Sequence, residues 1–131
     1  MAIEFFLPMI PPTVTHQEKK VAVKKDKPRL YEDQRLSDAR QKLRAHLGQH
    51  RPRNPLEGAV ALLTVWNFPA GGKHKDGAYR TTKPDTDNLQ KLLKDCMTAE
   101  GFWQDDAQVC DERIIKRWAE TPGIFIWAET I

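Results

Sequence analysis

The sequence predicts an α/β (α+β) fold, a small mixed β-sheet with two helices in the order β-α-β-α-β-β, and three observations carry this. Two stretches repeat apolar residues at the three- and four-residue spacing of a helix, at 33–47 and 87–99. Others alternate, or run apolar, over strand lengths. Pro- and Gly-rich breaks separate them, at Pro11-Pro12, Arg51–Pro55, Pro69–Gly72 and Thr121–Gly123.

Taken in order, Ile3–Leu7 alternates and is ended by Pro8, which gives a first strand. It has no basic start and carries Glu4 inside its apolar run, so it does not read as a signal peptide. Residues 13–31 show no helical period and hold many lysines, so a mobile basic loop is expected, with a short hairpin around Lys25-Asp26-Lys27. From Asp33 to Leu47, Leu36, Ala39, Leu43 and Leu47 form the stripe of an amphipathic helix, with Glu32 or Asp33 at its start and Gly48 as its stop. Gly58–Phe68 is apolar on both faces, as a central and well-covered strand requires. Lys73–Lys83 is a polar loop. The second helix, Asp87–Ala99, buries Leu89, Leu92, Leu93, Cys96 and Met97, and Gly101 falls where a left-handed cap belongs. Residues 107–119 alternate as a strand, and Ile124–Thr130 returns as its partner.

With 131 residues the chain reads as a single domain, 1–131, large enough to bury a core. Charged residues make up 30% and hydrophobic ones 40%, an ordinary balance for a globular protein, and no segment is long enough to span a bilayer. Membrane partners are therefore not expected. Cys96 and Cys110 have no metal-ligand spacing and read as reduced core thiols of a cytoplasmic protein. The net charge of +3 divides unevenly, with +6 in residues 1–55 and −3 in 56–131. A basic arm beside an acidic cluster suits an enzyme that holds a polyanion, although an unevenly charged solvated surface is the plainer reading.

The acidic residues fall into two pairs. Asp85 and Asp87 lie two apart at the start of the second helix, and Asp105-Asp106 follows its end. A hard divalent cation such as Mg²⁺ takes carboxylate oxygens and completes its shell with water or phosphate. The pairs therefore point to metal-assisted attack on a phosphodiester. Each residue also has a structural reading: Thr86 or Asp87 as helix cap with Asp85 as partner of the helix dipole, Asp105-Asp106 as turn formers. Lys91, four after Asp87, is either a phosphate contact or half of an ordinary i,i+4 ion pair, which Asp95 would extend. A thirteen-residue helix is roughly 20 Å long, so a return of the second pair to the first is possible but not compelled. His16, His46, His50 and His74 show no zinc spacing, and the only serine, Ser37, lies in a helix. Trp66, Trp103, Trp118 and Trp127 read as core or interface aromatics, with contact to a base as the rival for Trp103. No phosphate-binding glycine loop or dinucleotide fingerprint is present, so no nucleotide cofactor is expected.

The stretch Lys83-Pro84-Asp85-Thr86-Asp87-Asn88-Leu89-Gln90-Lys91, followed by Gly101-Phe102-Trp103-Gln104-Asp105-Asp106-Ala107-Gln108-Val109, closely resembles the RusA family of Holliday junction resolvases. The dense likeness covers about residues 83–117, and Leu7-Pro8, Pro11-Pro12 and the basic region extend it loosely. The resemblance implies a homodimeric, Mg²⁺-dependent endonuclease, with Mn²⁺ as substitute, that resolves four-way DNA junctions by paired symmetric nicks. It implies 5′ phosphate and 3′ hydroxyl ends and a role in DNA recombination and repair. Asp85, Asp87 and Asp106 would be the essential acids and metal ligands, Asp105 a supporting one, and Lys91 the essential lysine. Lys19, Lys20, Lys24, Lys25, Lys27 and Arg29, with Lys83 opening the motif, would grip the DNA backbone. The family also implies a bacterial cell, and a phage or prophage origin. Two rivals remain on the sequence: a nuclease of the same chemistry acting on forks or flaps, and a junction-binding architectural protein whose acids hold a structural cation.

Overall fold

The computed structural model describes residues 1–15, 20–24, 27–31 and 34–131. In chain order the elements are β1 (Ala2–Leu7), β2 (Lys20–Lys24), β3 (Lys27–Tyr31), α1 (Gln34–Leu47), β4 (Val60–Pro69), α2 (Thr86–Ala99), β5 (Val109–Ala119) and β6 (Gly123–Thr130). Single 3-10 turns lie at Gly48–His50 and Asp106–Gln108. The main sheet runs β1-β6-β4-β5, with β4 antiparallel to β6 and parallel to β5. It is thus a mixed sheet with two helices, as expected. Among the described residues no helix is long and apolar enough to cross a membrane.

Two expectations are corrected. Ile124–Thr130 does not pair with the strand before it: β6 lies between β1 and β4, and β5 stands on the far side of β4. The reason is connectivity. The α2 crossover delivers β5 parallel to β4 at one edge, and the Thr121–Gly123 turn carries the chain to β4's other side. Gly123 permits that arrival, because a Cβ there would meet the Phe6 ring and sit 2.7 Å from the Leu7 carbonyl oxygen. The second correction is partial: within residues 13–31 β2 and β3 pair as the antiparallel hairpin expected around Lys25-Asp26-Lys27, but strand extends over Lys20–Lys24 and Lys27–Tyr31 where loop was expected. Lys25 and Asp26, the turn of the expected hairpin, lie outside the described residues, as do His16, Lys19, Glu32 and Asp33. The side chains of Lys20, Lys24, Lys27 and Arg29 also lie outside what is described.

One face of the sheet holds the core. Val60, Leu62, Thr64, Trp66 and Phe68 of β4, with Ile124, Ile126 and Ala128 of β6, are buried. Leu36, Leu43 and Leu47 of α1 and Leu89, Leu92, Leu93, Cys96 and Met97 of α2 are buried with them. The expected stripes are thus confirmed, apart from Ala39, which is half-buried. Trp103 is 1% exposed and donates from its indole nitrogen to Thr98 Oγ1 at 2.7 Å, which makes it a core residue and not a base contact. The opposite face bears a different row. Registers align Phe6, Phe125, Val65 and Ile115 across all four strands, next to Trp127 and Leu63. Alternation puts these side chains away from the helices.

Cys110 is exposed, against the expectation of a core thiol. Val60 pairs with Val109 and Ala61 with Asp111, so Cys110 is the extra residue of a β-bulge. An unpaired residue on an edge strand has nothing to bury it.

Candidate active site

Asp85 is the N-cap of α2, with extended φ −73° and ψ 149°, yet its side chain makes no capping hydrogen bond. The cap position thus falls to Asp85 and not to Thr86 or Asp87 as considered, and its exposed carboxylate is left uncommitted. Asp87 lies in the first helical turn, where a negative charge is favoured by the helix dipole.

The end of α2 is built to bring the second acidic pair round. Gly101 adopts φ +83°, the Gly101 N–H donates to Thr98 O at 3.1 Å and the Phe102 N–H to Met97 O at 3.0 Å. These are the two bonds of a Schellman cap. Trp103 then bridges Leu56, and the Leu56 N–H donates to Phe102 O at 2.8 Å. Asp105 caps the following 3-10 turn by accepting from the Ala107 N–H at 2.8 Å, and Gln108 completes a capping box. Gln108 also donates to Leu56 O and Gly58 O, which pins the turn to the segment that leads into β4.

As a result Asp87 and Asp106 line one open cleft of about 450 Å³ between α2 and β5, together with Lys91, Lys94, Gln90 and Glu112. Lys91 is exposed, donates to Asp95 Oδ1 at 3.1 Å and forms with it an i,i+4 pair. Its pKa is raised, first by that hydrogen bond and then by the charges of Asp95 and Asp106. An exposed pair of this kind contributes little stability, about 0.3–0.5 kcal/mol, so the ammonium is easily redirected to a bound anion. Asp85 is not among the cleft's lining residues, but its charge acts on Lys116, which lies further along β5. Among the described residues no three His, Cys, Asp or Glu side chains lie close enough together to hold an ion. The acids flank the cleft; they do not converge.

Two residues of the cleft, Gln90 and Glu112, are not indicated by the sequence pattern. Gln90 is a buried polar residue on the apolar side of α2. Its Oε1 accepts from Thr64 Oγ1 at 2.8 Å, Thr64 accepts from the Trp66 indole at 3.0 Å, and Gln90 Nε2 donates to Glu112 Oε2 at 3.3 Å. Glu112 also accepts from Lys94 Nζ at 3.3 Å. A core hydrogen-bond chain thus fixes a third carboxylate in the cleft. The signal was a glutamine on an apolar stripe, but its meaning depends on register with β5.

Two cations brace the approach to Asp85. Arg80 Nη2 donates to Lys83 O, and Lys116 Nζ donates to Thr82 O at 2.7 Å and Pro84 O at 2.6 Å. Lys83 is exposed. Of the histidines, His50 stacks on Phe5 and His74 on Trp118.

The family model for endodeoxyribonuclease RusA matches residues 9–129. A crossover junction endodeoxyribonuclease of Lactococcus phage r1t is 34% identical over 108 residues, which cover 81% of this chain and 79% of that protein. The RusA crossover junction endodeoxyribonuclease of Escherichia coli K12 is 59% identical over 32 residues, 24% of this chain and 27% of that one. That of Enterobacteria phage 82 matches to the same extent.

Proposed function

The chain belongs to the endodeoxyribonuclease RusA family, and on that premise we propose that it resolves four-way Holliday junctions by cutting within the cleft between α2 and β5. The observation that carries this is the pair of uncommitted carboxylates, Asp87 and Asp106, lining one cleft beside Lys91. The donors are hard oxygens open to solvent, and one or two carboxylates with phosphate oxygens and water suffice for Mg²⁺. The donor chemistry suits a divalent ion, which would have to draw the flanking acids together: Asp87 and Asp106 would be its ligands, Asp85 would join from the helix cap, and Mn²⁺ would substitute. Such an ion supplies Lewis acidity towards the phosphoryl oxygen and lowers the pKa of a bound water.

The chain's own residues do the rest. Asp105 serves from the cap, where one oxygen holds the turn and the other remains for support of the site. Lys91 stays protonated at every physiological pH and brings positive charge to the phosphate as charge builds in the transition state. The Gln90–Glu112–Lys94 chain fixes the cleft wall beside these groups. Lys19, Lys20, Lys24, Lys25, Lys27, Arg29 and Lys83 grip the backbone without reading sequence. Two copies join through the sheet face that bears Phe6, Phe125, Val65 and Ile115, and the resulting two-fold matches a four-way junction. Each copy cuts one of two opposed strands, leaving 5′ phosphate and 3′ hydroxyl ends.

The test is cleavage of an end-labelled synthetic four-way junction with Mg²⁺ or EDTA, beside a fork and a linear duplex. Symmetric, ligatable nicks that need the metal and vanish in Asp87→Asn are expected. Binding without nicks, with Mn²⁺ as well, would reduce the chain to a junction-binding protein; stronger cutting of forks would change its substrate.

A further inference from the structure

The outer edge of β5 carries a second cleft, of about 330 Å³, that the cutting chemistry above does not use. Tyr79, Arg80, Arg113 and Lys116 line it, and Thr86 and Ile114 line both this cleft and the acidic one. The two clefts are therefore neighbours of opposite character. The second contains three cations and no carboxylate in its lining.

Its cations are held in place by the fold. The segment 77–80 runs along the β5 edge through Gly77 N–H to Trp118 O, Trp118 N–H to Ala78 O and Arg80 N–H to Lys116 O. The Arg80 guanidinium is sandwiched 4.2 Å from the Phe68 ring centroid and 4.6 Å from that of Trp118. Its Nε is buried without a hydrogen-bond partner among the described residues. Lys116 gives two of its three ammonium hydrogens to carbonyls of the loop before Asp85. Burial lowers the pKa of both groups; Arg80 lowers that of Lys116 further, and Asp85 opposes the change. The protein thus keeps two like charges adjacent, and the charge of Asp85 acts on Lys116. A bound anion would relieve the repulsion between them. Arg113 adds a third charge at the rim, with no hydrogen bond or ion pair among the described residues.

We propose that the β5-edge cleft is a second phosphate site, which seats a backbone phosphate of the cut strand next to the scissile one. Arg113, Lys116 and the Tyr79 hydroxyl hold it, and Arg80 fixes the site from beneath. One phosphate in each adjoining cleft sets the direction of the strand across the site, and so determines which bond lies between the acids. This inference rests on the endonuclease reading.

The test uses four-way junctions in which single phosphates near the branch point are replaced, one at a time, by uncharged methylphosphonates. Binding is measured in EDTA for the wild type and for Arg113→Gln, chosen because Arg113 is exposed and holds nothing in place. Loss of one charge-assisted contact should weaken wild-type binding about tenfold at one position within two nucleotides of the cut. Arg113→Gln should lose a similar amount on the unmodified junction, lower the salt slope by about 0.9, and lose nothing further at that position. Tyr79→Phe should lower affinity in the same position-dependent way. Losses that multiply at every position, or an unchanged salt slope, would overturn the inference. A junction that is never cut yet shows the coupling would sink the endonuclease reading and leave the phosphate site standing.

Discussion

Asp105 commits one oxygen to the Ala107 N–H, whereas Asp106 beside it opens into the cleft where the charge of Lys91 responds to it. Removing them should therefore have different consequences. Asp106→Asn should lower cleavage on the order of 10²–10³-fold, since metal-borne charge stabilisation is worth several kcal/mol. Junction binding should be unchanged or tighter, because a charge that repels phosphate is lost. Asp105→Ala should instead cost about 1 kcal/mol of stability, the worth of a cap, with a smaller loss of cutting. Equal effects in urea melts and cleavage assays would refute the division. Buried polar groups allow a second contrast. Gln90→Leu keeps the helix stripe apolar but leaves the Thr64 hydroxyl without its acceptor, which should cost about 1–3 kcal/mol. The same change frees Glu112, so cleavage should fall beyond what lost stability explains. The thiols provide a third. Burial pushes the Cys96 pKa from 9.0 up to about 11. The folded state then holds its proton after the unfolded chain has released it. Cys96 therefore contributes stability that is fully present below pH 9 and is lost between pH 9 and about 11. A Cys96→Ala variant should lack that part of the alkaline decline. Labelling of the native protein at pH 8 should modify Cys110 alone.

The helices were legible because burial on α1 and α2 follows a 3.6-residue period, which residues such as Leu36, Leu43, Leu89 and Leu93 display without any tertiary knowledge. The caps were equally local: Gly101 announced the end of α2 and takes φ +83°. Pairing was not local. β5 and β6 are neighbours in sequence, but pattern cannot tell that β4 lies between them, since each alternates in the same way whichever edge it meets. The bulge at Cys110 was hidden for the same reason, as register shifts only exist against a partner. The acids followed this division. Asp85, Asp87, Asp105 and Asp106 were singled out by spacing, and of these Asp87 and Asp106 line the cleft, but Glu112 and Gln90 enter it only through the parallel β4–β5 register and the helix above it. The β6 position tests this reading of the sheet. Gly123→Ala places a methyl against Phe6 and the Leu7 carbonyl, so β1 must move. Overpacking of this kind costs about 1–3 kcal/mol. A urea midpoint unchanged from wild type would show that β1 and β6 do not meet as described.

At the scale of the whole molecule, the two faces of the sheet are unlike. The helices seal one, while the other presents Phe6, Phe125, Val65 and Ile115 in a row with Trp127 and Leu63 beside it. Phe6 is 37% exposed and Phe125 half-buried in the single chain. A monomer gains nothing from an apolar row on its surface, and a second copy would remove it from water. A standard interface takes about 800 Å² from each partner, roughly a tenth of the 8273 Å² surface, which is within what one sheet face offers. The acidic cleft lies along α2 on the helix side, so a pairing through this face leaves it open to DNA, while Ile115 and Arg113 bring the β5-edge cleft to the rim of the interface. Phe125→Glu should then separate the copies, because two carboxylates would meet at the two-fold without a counter-charge. Light scattering of the eluted protein at micromolar concentration should show the mass of one chain in place of two. The acids, Lys91 and the β5-edge cations are untouched by this change, so single nicks should persist while paired nicks on one junction become independent events. Two cuts that remain coupled in a monomeric variant would show that symmetry comes from the DNA and not from the protein. An unchanged dimer mass would move the interface to another surface.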